Sequence, residues 1–482
     1  MNPLSRALYR VGIRPRLRRR ELVLLLLVGV TLLVGWQSLL AQQLGRLELD
    51  ADALTLPVAY LALLGAIHLA FVITGRRMDE LLLPAAGMLG GLSLLMMARL
   101  PQDMAAQSFF GTLLPLAPLQ LLWMGLGFGL LGIVAITVRS DGWLRRYKYT
   151  WATIGIGLLL AVFVFGDARG GQLLTLRIGP ISGQPSELLK VILVVFVAGY
   201  LAENRALLTM TSSRLGPLRL PPLPYLLPML AMWGLALAIV IVQRDLGAAL
   251  LFFLVFLALL YVATSRLSYV LTGLALFVAG ATVVYALFGH VQQRIDIWLD
   301  PLADPLGAGY QVLRAMFAFG RGGIIGTGLG AGLPQVGGAP AIPAIHTDFV
   351  FAALAEELGM LGGLAIFALY GVIAERGLRI AATAADDFRA LLATGLTLVI
   401  VIQAAIIIGG NLRVIPLTGV TLPLVSYGGS SLLVNGAIIG LLLALSDRNV
   451  EPPPLPPRRG GLRERLGDRL RAAGGRVEEA VS

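Results

Sequence analysis

The chain has 482 residues, 57% of them hydrophobic and only 13% charged, with a mean hydropathy of +0.83. A soluble protein of this length could not tolerate so little polar surface, so the composition points to a polytopic membrane protein. The absence of cysteine excludes disulfides and thiolate chemistry, and three scattered histidines (His68, His290 and His346) argue against a His-based metal site.

Residues 1–20 carry Arg6, Arg10, Arg14, Arg16, Arg18, Arg19 and Arg20 ahead of an apolar run. No small-residue cleavage site follows and further apolar runs do, so the start reads as a basic cytoplasmic arm and a retained first helix. Runs of spanning length recur near 21–42, 56–75, 81–98, 114–138, 149–166, 186–201, 223–243, 246–263, 268–290, 350–374, 388–410 and 420–446. The expected fold class is an all-α polytopic membrane protein with about twelve transmembrane helices. A large extracellular loop, 291–349, precedes the helix starting near 349. The expected layout is a basic arm over 1–20, N-terminal transmembrane helices over 21–148, a core over 149–446 and a Pro/Arg-rich cytoplasmic tail over 447–482. No internal repeat is visible, which counts against a transporter built from inverted repeats.

The net charge of +11 raises the question of nucleic acid, which depends on where the positive charge sits. With the N-terminus inside, 28 of the 38 Lys and Arg residues fall on the cytoplasmic side, nine outside and one, Lys190, within a run. Both termini are therefore expected in the cytoplasm, and the basic charge is explained by anionic inner-leaflet lipid without nucleic acid.

The polar residues that resist this explanation collect on the external side. In Gln184-Pro185-Ser186-Glu187-Leu188-Leu189-Lys190, Ser186 beside Pro185 marks a helix start, and Glu187 and Lys190 share a face. Charges inside a span usually face a cavity, although a snorkelling ion pair is the bland alternative. Gln243-Arg244-Asp245-Leu246-Gly247 reads as a short hairpin with its own Asp cap. The 291–349 loop holds Arg294, Trp298, Arg314 and a glycine-rich stretch, 320–332. Those glycines lack the lysine and preceding strand of a phosphate loop, so they read as close backbone packing. Asp348 stands where this loop meets an apolar run. It is either an N-cap or a carboxylate held at the bilayer surface as a base. Glu356 would lie about 80° round and roughly 12 Å deeper on a continuous helix, and Glu357 about 180° round. One would line the cavity and the other pair with a neighbouring helix. Asn411 to Arg413 and Ser426-Tyr427-Gly428-Gly429-Ser430-Ser431 suit either close helix packing or substrate contact.

Together these stretches resemble the SEDS family of bacterial cell-wall polymerases, the RodA/FtsW/SpoVE proteins. The match is carried by Gln184-Pro185-Ser186-Glu187 with Lys190, Asp245-Leu246-Gly247, Trp298 with Asp300-Pro301, Asp304-Pro305 and Gly309-Tyr310-Gln311. It continues through Gly322-Gly323, Gly326 with Gly328, His346-Thr347-Asp348-Phe349, Glu356-Glu357-Leu358-Gly359, Pro416 to Gly419 and Ser426 to Ser431. The helices before the core resemble those of the longer RodA-type members. The resemblance implies a peptidoglycan glycosyltransferase that polymerises lipid II into glycan strands at the outer face of the bacterial cytoplasmic membrane, in cell elongation or division. It also implies a class B penicillin-binding protein, a transpeptidase, as partner. The family's functional aspartate falls on Asp348 and its essential lysine on Lys190. The chain departs from the family at Arg244, where the pattern has proline, and in lacking an Arg-Trp before Gln184. Arg177, Arg169 and Arg244 are the candidates for the displaced charge.

On this reading Asp348 is the general base. Lys190 and one or two of Arg177, Arg294 and Arg314 are the candidates to hold the leaving pyrophosphate. Gln184, Ser186, Glu187, Asp245, Thr347, Glu356, Ser426, Tyr427 and Ser430 contact substrate. An α-linked donor and a β-linked product imply a single inverting displacement. No cofactor is evident; a divalent cation could assist, though no ligand cluster reveals one. The rivals are a flippase for lipid-linked precursors, whose charges should run through to the inner side, and a non-catalytic scaffold that recruits a transpeptidase.

Overall fold

The computed structural model describes residues 16–447 apart from 45–53, 105–106, 110–111, 170–171, 179–180, 211–212, 216–217, 221–222 and 337–338. The described residues fall in a single compact unit that ends at Asp447. The expected Pro/Arg-rich tail and most of the expected basic arm lie outside the described residues.

Within hydrocarbon every backbone N–H and C=O must be bonded inside its own segment, so the apolar runs become helices. In chain order they are α1 (Arg19–Leu44), α2 (Thr55–Thr74), α3 (Leu82–Arg99), α4 (Leu116–Thr137), the short α5 (Gly142–Arg146), α6 (Lys148–Phe165), α7 (Pro185–Met210), α8 (Leu223–Val242), α9 (Leu246–Thr264) and α10 (Leu267–Leu287). There follow α11 (Gly289–Leu299), α12 (Tyr310–Gly322), α13 (Val350–Ala382), α14 (Asp387–Asn411) and α15 (Gly429–Leu445). Ten helices among the described residues are long and apolar enough to cross a membrane; the other two expected runs correspond to the shorter apolar helices Leu227–Val242 and Gly429–Leu445. Short antiparallel ribbons link some of them: β1 (Gln107–Phe109) with β2 (Thr112–Leu114), β3 (Gly166–Arg169) with β4 (Gln172–Ile178) and β5 (Ile181–Gly183), β6 (Ser213–Leu215) with β7 (Leu218–Leu220), and β8 (Gln335–Val336) with β9 (Ala339–Pro340).

The long connection 291–349 carries secondary structure of its own: most of α11, all of α12 and the β8–β9 ribbon. In α12 the buried residues Val312, Leu313, Ala315, Ala318 and Gly322 recur at helical spacing and seat it on the bundle. Two expected bounds are corrected. The run from 420 becomes helix only at Gly429, after Pro423 and a left-handed Leu424 (φ 65). The run from 350 extends to Ala382 but breaks at Gly359 (φ 69, ψ −171).

Small residues let helices meet. A side-chain carbon on Gly436 of α15 would lie 2.2 Å from the Gly127 carbonyl oxygen of α4, so these helices touch backbone to backbone. α3 and α14 bury 78% of their most apolar stretch inside the protein, whereas α10 buries none of its own. One end of the bundle is tied by ion pairs: Arg376 to Asp79 at 2.8 Å, Arg389 to Asp141 at 2.9 Å and Lys148 to Glu203 at 2.6 Å. Arg18 joins them by donating to the Asp79 carbonyl at 2.7 Å. Asp348 and the residues around it stand at the opposite end of α13 from Arg376 and Arg379.

Candidate active site

The break at Gly359 leaves a half-helix, 350–358, whose N-terminus carries Asp348. Asn411 at the end of α14 donates to the Asp348 carbonyl at 2.8 Å. The Tyr427 amide donates to the His346 carbonyl at 2.8 Å, and the Ser426 hydroxyl donates to the Thr347 carbonyl. Asp348 does not cap the helix: the residue at that position is Phe349, with no side-chain cap. The carboxylate instead opens on a cavity of about 210 Å³, shared with Arg294, Trp298, Gln311, Arg413 and Gly419. Burial pushes its pKa up to about 6, against the pull of the Thr347 hydroxyl and the Arg294 guanidinium. A side-chain carbon on Gly419 would sit 3.8 Å from Asp348 Oδ2 and 4.0 Å from Arg294 Nη2, so carboxylate and guanidinium flank one bare stretch of backbone.

Arg294 rises from α11 and donates to the Thr418 carbonyl at 3.0 Å. Burial lowers its pKa, opposed by the charges of Asp245 and Asp348. Asp245 caps α9 by accepting from the Ala248 amide at 3.0 Å, and it accepts from Gln184 and Ser186, each at 3.1 Å. Burial nevertheless holds its pKa above the usual carboxylate range. The hairpin here turns through Arg244 at φ 64, a backbone that proline cannot adopt, which accounts for the departure at that position. The Arg244 side chain is exposed.

Lys190 is not in the Asp348 cavity. It is 2% exposed, between α7, α14 and α15, and donates to Glu187 at 2.6 Å, Gln403 at 2.8 Å and Asn435 at 3.3 Å. An ammonium has three donors, and all three are used. The network continues from Gln403 to the Thr421 carbonyl at 2.8 Å and from Thr421 to Ser431 at 2.8 Å, so it reaches the segment that carries Thr418 and Ser426.

The remaining expected site residues are dispersed. Glu356 lines a separate cavity of about 20 Å³ with Arg314 and Arg321, and pairs with Arg321 at 3.1 Å. Glu357 pairs with Arg99 of α3 at 3.4 Å. Arg314 is exposed and lies over the Tyr310 ring at 5.0 Å. The Tyr427 ring stands 5.7 Å from that of His346, and Ser430 is half-buried in the first turn of α15. Arg177 pairs with Ser182 in the β4–β5 ribbon, and its side chain, like that of Arg169, lies outside the described residues.

Residues 80–451 match the FtsW/RodA/SpoVE family, whose description is "cell cycle protein". The chain belongs to this family. It is 38% identical over 452 residues to the peptidoglycan glycosyltransferase RodA of Mycobacterium bovis, covering 93% of this chain and 95% of that one. It is 36% identical over 374 residues to the probable peptidoglycan glycosyltransferase FtsW of Nitrosococcus halophilus, covering 76% and 91%. It superposes on a chain from a solved peptidoglycan synthase complex, described as coordinating polymerization and crosslinking, with a TM-score of 0.61 and 26% identity over 77% of this chain and 98% of that one. The crystal structure of Thermus thermophilus RodA shares the fold at a TM-score of 0.53 and 24% identity, over 77% of this chain and 97% of that one. The FtsW/RodA/SpoVE match begins just before α3, so α1 and α2 precede it.

The sequence reading assigns no role to Trp298 or Gln311, which line the Asp348 cavity, or to Gln403 and Asn435, which hold Lys190. The last two carry a readable signal, since each is a lone amide inside an apolar run.

Proposed function

We propose that the cavity beside Asp348 joins lipid II units into glycan strands, with Asp348 taking the proton of the acceptor sugar hydroxyl as it attacks the donor's anomeric carbon. The chain is a peptidoglycan glycosyltransferase. The donor's lipid pyrophosphate leaves as the new bond forms, in one displacement with inversion and no covalent enzyme intermediate. Arg294 and Arg413 flank the cavity and supply fixed positive charge for that leaving group. Lys190, with its donors taken, shapes the segment behind the cavity.

The observation that supports this best is the Asp348 carboxylate: partly buried, with a pKa pushed up to about 6, beside an arginine in a cavity at the bundle end away from the basic ion pairs. A base poised near neutrality is efficient as an acceptor of a hydroxyl proton. The positive-inside rule puts the basic end and both termini in the cytoplasm, and the cavity therefore at the outer face. We assign a class B penicillin-binding protein as partner, for elongation or division, because product strands need crosslinking. Among the described residues there is no group of three or more His, Cys, Asp or Glu that could hold a metal ion.

Purified protein supplied with lipid II should yield glycan polymer on a gel. Asp348→Asn should cut polymer formation by at least ~10²-fold while the protein stays folded. Wild-type-like polymer from that variant would remove Asp348 as the base.

A further inference from the structure

The break at Gly359 frees backbone groups that a continuous helix would satisfy, and the chain between α12 and β8 is folded over them. Thr327 and Gly328 amides donate to the Glu356 and Glu357 carbonyls, each at 3.0 Å. Met360 and Leu361 amides donate to the Gly323 and Ile324 carbonyls at 2.9 and 3.1 Å. The two carboxylates bind the same strip: Gly330 donates to Glu357 at 2.9 Å and Leu333 to Glu356 at 2.7 Å. The strip thus grips the C-terminal end of the half-helix whose other end carries Asp348.

The opposite side of this strip rests on α1. A side-chain carbon on Gly330 would meet Gln42 Cβ at 3.1 Å and Leu39 Cα at 3.5 Å, and one on Gly35 would meet Leu329 Cδ1 at 3.2 Å. α1 in turn lies on α3, whose Arg99 donates to the Gly332 carbonyl at 3.1 Å and pairs with Glu357. α1 precedes residues 80–451, which match the family as a whole.

We infer that α1 is a positioning element for glycan synthesis, acting through the 326–333 strip on the half-helix that presents Asp348. The inference rests on the glycosyltransferase reading for its kinetic consequence and on the packing alone for its structural one. Leu39 is buried where α1 meets the strip, whereas Leu25 is buried near the other end of the same helix.

In Leu39→Ala the amides of Gly328 and Gly330 should exchange with solvent at least ~10-fold faster, while those of α9 keep their rates. The kcat for lipid II polymerisation should fall about five- to tenfold with KM within about twofold, and Leu39→Met should restore both. Leu25→Ala makes a similar truncation and should leave the strip's exchange and kcat unchanged. Unchanged exchange at Gly328 and Gly330 in Leu39→Ala, or equal effects from Leu25→Ala, would overturn the inference. A wild-type protein that makes no polymer would defeat the glycosyltransferase reading instead, with the exchange result still standing as the test of the brace.

Discussion

Asp348 carries a pH prediction whose sign follows from its environment. Its pKa is raised, so the carboxylate form needed for proton abstraction is lost as pH falls through about 6. Polymerisation should fall roughly tenfold per pH unit below that point. Ionising the group costs folding stability that appears above its ordinary value of 3.8. Asp348→Asn should therefore melt no lower than wild type at pH 7.5, as read by thermal unfolding. Lys190 predicts differently. Lys190→Met would strand the Glu187 carboxylate and should destabilise by about 3–5 kcal/mol. Adding Glu187→Gln should recover most of the melting temperature and bring kcat to within about tenfold of wild type. A double variant that folds but stays inactive would mean that the ammonium itself meets the substrate. The carboxylate at the cavity was legible from a charged residue where a loop meets an apolar run. The saturation of Lys190 was not, because Gln403 and Asn435 lie 213 and 245 residues further along the chain.

Gly359 decides how α13 is used. A methyl group there would sit 2.2 Å from the Gly326 amide nitrogen, at a φ of 69 that side chains rarely adopt. Gly359→Ala should destabilise by about 3 kcal/mol or more and release the strip from the half-helix, visible as a lowered melting temperature and protease cleavage near 326–333. The length of the apolar runs located the long helices well, since a span has no alternative backbone. It failed where one glycine interrupts a run, because hydropathy is blind to φ. The same blindness explains Glu356 and Glu357. The wheel separates them, and they do have different cation partners, Arg321 and Arg99, but one glycine-rich strip reaches round to bind both. α12 could have been found from the spacing of Val312, Ala315 and Ala318.

The helix bundle is polarised, with the Arg376–Asp79, Arg389–Asp141 and Lys148–Glu203 pairs at one end and the Asp348 cavity at the other. The chain has no cysteine, so single reporters are clean. Leu306, 89% exposed beyond α11, should as Leu306→Cys react with a membrane-impermeant maleimide on intact cells. Arg146→Cys, in α5, should react only after permeabilisation. The opposite pattern would put Asp348 inside. A last consequence follows from α10, which buries none of its most apolar stretch. Between it, α9 and α14 lies an apolar groove of about 610 Å³ lined by Leu254, Leu257, Tyr261, Val270 and Ile406. A stave with so little of its flank covered leaves a slot open to the acyl chains, in which a long greasy tail can lie without leaving the oil.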